Sequence, residues 1–283
     1  MILLPGKHKI PQETVEQICK NQKGKCCMNQ KQIEKEYGRV IKAEGTFIEN
    51  NLHVKVSAWQ EKISRYVPEK LNDTLNSAFF KAFEFIFEKG TGVIEKTYNR
   101  EKMEQDYKIN EYAANLRNNR RSIRVFGKKA KASKNLNMAI STVEGVGMGV
   151  LGMGIPDIPV FLGVLLKSIY EIALSYGFHY DTEEEQIFIL KMIETALSHE
   201  EALVKGNVEL NSWIKAPSAF EISREEQIRR TADALSNELL YLKFVQGMPV
   251  VGVVGGLSDM VYQKKITDYV AIKYKRRFLE EKR

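Results

Sequence analysis

Cysteine, histidine and proline are scarce in this chain. Its three cysteines (Cys19, Cys26, Cys27) all fall in the first tenth of 283 residues. An odd number, two of them adjacent, makes a poor disulfide framework and fits a reducing compartment. The four histidines (His8, His53, His179, His199) are isolated from the cysteines and from each other, so no metal site is expected. GxxxxGK[ST], GxSxG and HExxH are all missing, which removes the phosphate loop, the nucleophile elbow and the zincin helix, and no cofactor is expected. The opening MILLPGKHKIPQE has too short an apolar run for a signal peptide, so a cytoplasmic chain is expected.

Acidic residues are also missing where basic ones gather. Between Tyr112 and Thr142 stand Arg117, Arg120, Arg121, Arg124, Lys128, Lys129, Lys131 and Lys134 with no carboxylate, and Met260 to Arg283 carries eight basic residues against three acidic. The net charge of the whole chain is only +7, so the remainder is acidic and the positive field is concentrated. Such a field favours an anionic surface, or it is simply a solvated pair of helix faces. RNNRRSIRVF and KYKRRF could grip phosphate, yet no nucleic-acid module surrounds them and no specific nucleic-acid partner is expected.

What is present is helical periodicity. Leu71, Leu75, Phe79, Ala82, Phe83, Ile86 and Phe87 recur at steps of three and four after Pro68, and Gly90 and Gly92 follow as stop signals. A short helix starts near Val93. Glu183 to Leu197 forms an amphipathic helix with Asp181 or Thr182 as N-cap, and Ser223 caps another through about Val245. Leu203 to Ala219, with Gly206, Asn211 and Pro217, reads as a connection. A long basic helix closes the chain. Before residue 58 the pattern differs: GRVIKAEGTFIENNLHVKV reads as two extended runs turning at Glu49-Asn50-Asn51, a β-hairpin. The expected class is therefore all-α. A small N-terminal extension (1–57) that could contain the hairpin precedes a multi-helix globular domain (58–283).

Two Gly-rich apolar passages stand inside that domain. Gly145 to Leu166 carries one charge, Asp157, with Pro156 and Pro159 around it; FVQGMPVVGVVGGLSDMVY is the second passage. Each reads as an apolar helical hairpin, because an aspartate between prolines does not suit the middle of a spanning helix. Gly147-x-Gly149-x-x-Gly152 has the dinucleotide spacing but no preceding strand, so close helix packing explains these glycines better. Glu144, Asp157 and His179 are the weak candidates for acid–base chemistry, and helix capping explains Asp157 equally well.

The sequence resembles the EcsC family of bacterial proteins. The blocks that carry the resemblance are SAWQEKISRYVPEKLNDTLNSAFFKAFEF, STVEGVGMGVLGMGIPDIPVFLGVLLKSIYEIALSYGFHYDTEEEQIFILKMIETAL and GMPVVGVVGGLSDMVYQKKITDYVAIKYKRRFLEEK. Glu144, Gly145, Pro156, Asp157, Tyr176 and Gly177 match the most distinctive block. The founding member is encoded beside genes of an ABC transporter, so the resemblance implies membrane association and supplies no catalytic residue. The leading expectation is a protein peripheral to the inner face of the cell membrane, with anionic lipid or a membrane transporter as partner. Its headgroup contacts would be Arg117, Arg120, Arg121, Arg124, Lys128, Lys129, Lys264, Lys265, Lys275, Arg276 and Arg277. The alternatives are a hydrolase of a lipid or lipid-linked substrate and a cytoplasmic scaffold for protein partners.

Overall fold

The computed structural model describes residues 2–3, 9–10, 30–52, 69–117, 120–137, 157–218, 220–245 and 257–283. Two short strands, β1 (Ile2–Leu3) and β2 (Lys9–Ile10), pair antiparallel with Ile2 opposite Ile10. All other regular structure among the described residues is helical, so the class is all-α.

The hairpin expected after residue 38 is instead part of helix α1 (Gln30–Leu52); residues 53–56, its second run, lie outside the described residues. The reason lies on the buried face of α1, made by Ile33, Glu36, Tyr37, Val40 and Glu44. Two members of that 3.6-residue stripe are carboxylates, so the apolar period looks broken in the sequence although the buried period is intact. α1 packs on the C-terminal helix and belongs to the same helical body as the rest.

Helix α2 (Glu69–Phe85) and the turn after it bury Leu75, Phe79, Ala82, Phe83, Ile86 and Phe87 of the predicted stripe, with Leu71 partly buried. The helix does not stop at Gly90: it runs through a π-helical turn (Ile86–Gly90) into α3 (Thr91–Glu95). Next come α4 (Arg100–Arg117), α5 (Arg120–Asn137) and α6 (Asp157–Ser175). α6 is the one described helix long and apolar enough to cross a bilayer, and 72% of that window is buried inside the protein. Leu162, Leu165, Leu166, Ile169, Tyr170, Ile172 and Ala173 are fully enclosed by α2, α4, α5 and the C-terminal helix. A helix apolar on every side is at home in a core as much as in lipid.

Helix α7 (Glu183–Leu197) is capped by Thr182, whose hydroxyl accepts from the Glu185 amide at 3.3 Å. The expected connection from Leu203 to Ala219 is mostly helix α8 (Glu200–Lys215). Its loop-like residues have packing reasons: a Cβ on Gly206 would sit 2.6 Å from the Thr195 hydroxyl of α7, and Asn207 and Asn211 point at buried charges. α9 (Arg224–Val245) starts at the Ser223 cap, and α10 (Leu257–Glu281) ends the fold.

The helix directions position everything that follows. Gln263 donates to Ser168 at 3.2 Å, and further along Tyr176 meets the ring of Phe278, so α6 and α10 run parallel. α1 runs against α10, with Gln30 at Arg283 and Phe47 at Tyr269. The starts of α6 and α10, Asp157 and Leu257, therefore lie at the same end of the bundle. Residues 138–156 and 246–256, the bulk of the two Gly-rich passages, lie outside the described residues, and so do the turns of the two expected hairpins.

Candidate functional site

α10 places its cations inward. Glu44 of α1 is buried, and Arg276 donates to both its oxygens at 3.0 and 2.8 Å; Asn207 and Asn211 donate to it at 2.9 and 2.6 Å. Lys273, with no exposed side-chain surface, donates to Asn207 and Asn211 at 2.5 and 2.7 Å and stands 3.4 Å from Glu44. Tyr269 adds a 2.8 Å bond to Asn207. Burial alone would raise the Glu44 carboxyl, but Lys273, Asn211 and Arg276 outweigh it and hold it below the ordinary value. Glu185 of α7 similarly takes Tyr274 and Arg277 at 2.7 Å each, and Arg277 lies over the Phe178, Phe188 and Trp213 rings.

These contacts correct part of the expected headgroup surface. Arg276 and Arg277 serve buried carboxylates, and Lys275 bonds Glu36 at 3.0 Å, so none of the three is a free surface cation. Lys265 stands 3.5 Å from Glu238 and is largely covered; burial lowers its ammonium pKa. Lys264 is exposed and pairs with Asp268 within its own helix. The outward charge is on α5, where Arg121, Arg124 and Lys128 are exposed while Ile123, Phe126 and Ala130 are buried on the opposite side. Arg117, Arg120 and Lys129 belong to α4 and α5 by backbone; their side chains lie outside the described set.

Burial and the neighbouring Arg276 bring the Lys273 ammonium down to about 7, although Glu44 favours the charged form. The unfolded chain keeps that proton up to its ordinary 10.5. Between these values the unfolded state binds more protons, so this group makes stability rise as pH climbs from about 7 toward 10. Urea midpoints at pH 7 and pH 9 check this: the rise should shrink in Lys273→Met, and an unchanged slope would refute it.

Asp157 and His179, the acid–base candidates among the described residues, do not come together. Glu144 lies outside the described residues, as do Gly145 and Pro156. Asp157 opens α6 and His179 follows its far end; 19 helical residues at 1.5 Å each separate them by about 28 Å. His179 is 58% exposed and lies 3.5 Å from Glu104. It belongs to a clasp in which Arg100 binds Glu95 and Glu104 at 2.9 Å and also Asp181, while Tyr180 donates to Glu95 at 2.8 Å and pairs with Tyr98. This clasp joins the α3–α4 link to the α6–α7 turn.

Sequence reasoning missed a second polar cluster. His199, between α7 and α8, bonds Glu238 through Nε2 while its Nδ1 is buried without a partner. An isolated histidine between the helix expected to end at Leu197 and the connection expected from Leu203 carried no signal for it.

Tyr176 and Gly177 close the end of α6. Phe178 N–H bonds the Ala173 carbonyl and Gly177 N–H that of Leu174, both at 3.0 Å, with Gly177 at φ +85°. This is a Schellman end, for which glycine is the preferred residue.

An all-α bundle with inward carboxylate–cation clusters and one outward basic helix defines the class. The chain belongs to the EcsC protein family, which it matches over residues 31–279. α1 is therefore within the family's span and not an extension beyond it. The chain is similar to "Uncharacterized protein YdbA" of Bacillus subtilis (strain 168), with 27% identity over 148 residues, 50% of this chain and 54% of that protein. It is also similar to "Protein EcsC" of the same organism, with 25% identity over 123 residues, 42% of this chain and 50% of that protein. The matches thus span about half the length of these curated relatives. No solved structure matches.

Proposed function

We propose that this is a peripheral membrane protein that docks on anionic lipid through the outward face of α5. The observation that carries the reading is the division of that helix: Ile123, Phe126 and Ala130 face the core, whereas Arg121, Arg124 and Lys128 face out and α5 contains no acidic residue. α10, equally basic in sequence, presents no comparable face because Lys273, Lys275, Arg276 and Arg277 have internal partners. The low charge of the two Gly-rich passages in the sequence supports the reading as well, since it suits shallow insertion.

Co-sedimentation with neutral and anionic vesicles across a salt series tests it. Binding should require anionic lipid and weaken with salt. Each basic residue near an anionic leaflet contributes about 1 kcal/mol, so Arg121→Gln with Lys128→Gln should weaken binding roughly 30-fold. Absence of vesicle binding even at low salt would overturn the proposal.

A further inference from the structure

Glu36 is a buried carboxylate outnumbered by its cations. It is 1% exposed, and it receives Arg39 of α1 at 2.7 Å, Arg124 of α5 at 3.2 Å and Lys275 of α10 at 3.0 Å. These four groups alone carry a net charge of two positive units at the place where three helices meet. Glu34 and Glu280, on the neighbouring turns of α1 and α10, share the single cation Arg283, so the wider group keeps one positive unit in excess.

The donors are also incompletely used. Arg124 approaches Glu36 through Nε, and Arg39 through one terminal nitrogen. Among the described residues, the two terminal nitrogens of Arg124 and the remaining nitrogens of Arg39 have no acceptor. Arg39 and Arg124 are 45% and 49% exposed, so these donors face solvent. A guanidinium fixed at one edge by a buried carboxylate has lost much of its conformational freedom and still offers a planar set of donors. That is the arrangement suited to a phosphate oxygen pair. Lys35, one turn from Arg39, is exposed beside them.

We propose that Arg39 and Arg124, backed by Lys275 and anchored by Glu36, form a site for a phosphomonoester lipid headgroup. A phosphomonoester carries up to two negative charges near neutral pH and three terminal oxygens, which match the local excess charge and the two guanidinium edges. A phosphodiester headgroup offers one charge and two free oxygens. The inference rests on the membrane reading above and adds a headgroup preference to it.

The test is flotation of the full chain with phosphatidylcholine vesicles containing either phosphatidic acid or phosphatidylglycerol, matched for surface charge. Binding to phosphatidic acid should be roughly fivefold tighter, the effect of one additional charge. Arg39→Gln should erase that preference, while Lys128→Gln weakens both bindings equally and keeps it. Arg39→Gln leaves Arg124 and Lys275 on Glu36, and an unchanged thermal midpoint verifies that it folds. Equal binding to both charge-matched vesicles would overturn the headgroup site and leave the membrane reading standing; no binding to either would overturn both. Calorimetric binding of inorganic phosphate in solution, with loss of the vesicle preference in its presence, would assign the site to a soluble phosphate and overturn the lipid headgroup.

Discussion

Replacing Glu44 by Gln is expected to lower the free energy of unfolding by about 3 to 5 kcal/mol, the range for removing one partner from a buried charge cluster. Lys273 has no exposed side-chain surface and Arg276 is 8% exposed, so neither can recover its hydration when the carboxylate is lost. The amide would also face Asn207 and Asn211 with one acceptor where the carboxylate supplied two. The cluster ties α1, α8 and α10 to one another, so the loss should register in the global transition. Urea titration should show a lower midpoint with an unchanged m-value. Glu49→Gln, at an exposed position of the same helix, should stay within about 0.5 kcal/mol of the parent. A Glu44→Gln midpoint equal to the parent's would mean that α1 is not held through this cluster.

The same cluster explains which parts of the fold were legible in the sequence. The caps at Thr182 and Ser223 were readable because an N-cap and its acidic first turn are local, and both lie within four residues of the groups they serve. The aromatic stripe of α2 was readable for a similar reason: every member of its buried face is apolar. α1 was not, because Glu36 and Glu44 stand on its buried face and two of their cations, Lys275 and Arg276, lie more than 200 residues away in α10. α8 was misread because Gly206 and Asn211 have loop chemistry in isolation and packing chemistry against Thr195 and Lys273. Lys275, Arg276 and Arg277, which the charge run alone places on an outward face, turn toward buried carboxylates by the same mechanism. Charge along one helix predicts an outward face only if no distant carboxylate is folded against it. α5 contains no acid, and Arg121 and Lys128 have no carboxylate partner among the described residues, so its outward charge survives where that of α10 does not.

Gly177→Ala is expected to cost about 3 kcal/mol through two separable effects. The first is conformational: at φ +85° an L-residue pays about 1–2 kcal/mol relative to glycine. The second is steric, because a Cβ there would lie 2.6 and 2.7 Å from Cε1 and Cε2 of Tyr107. Tyr107 cannot simply swing away; its ring packs on Phe126 and its hydroxyl bonds Glu111 at 3.1 Å. Displacing it adds the 1–3 kcal/mol typical of overpacking. A double-mutant cycle with Tyr107→Leu separates the two, since the smaller side chain relieves the steric effect and leaves the dihedral one. The double variant should therefore be less destabilised than the sum of the single ones by about 1 kcal/mol or more. Strict additivity would show that the ring is not what requires glycine at this position. The turn matters beyond its own residues, because Gly177 directs the chain so that Tyr180 and Asp181 reach Glu95 and Arg100. Loss of the Schellman geometry should loosen the clasp between the α3–α4 link and the α6–α7 turn, seen as faster amide exchange at Tyr180 and Asp181 than at residues in the middle of α7.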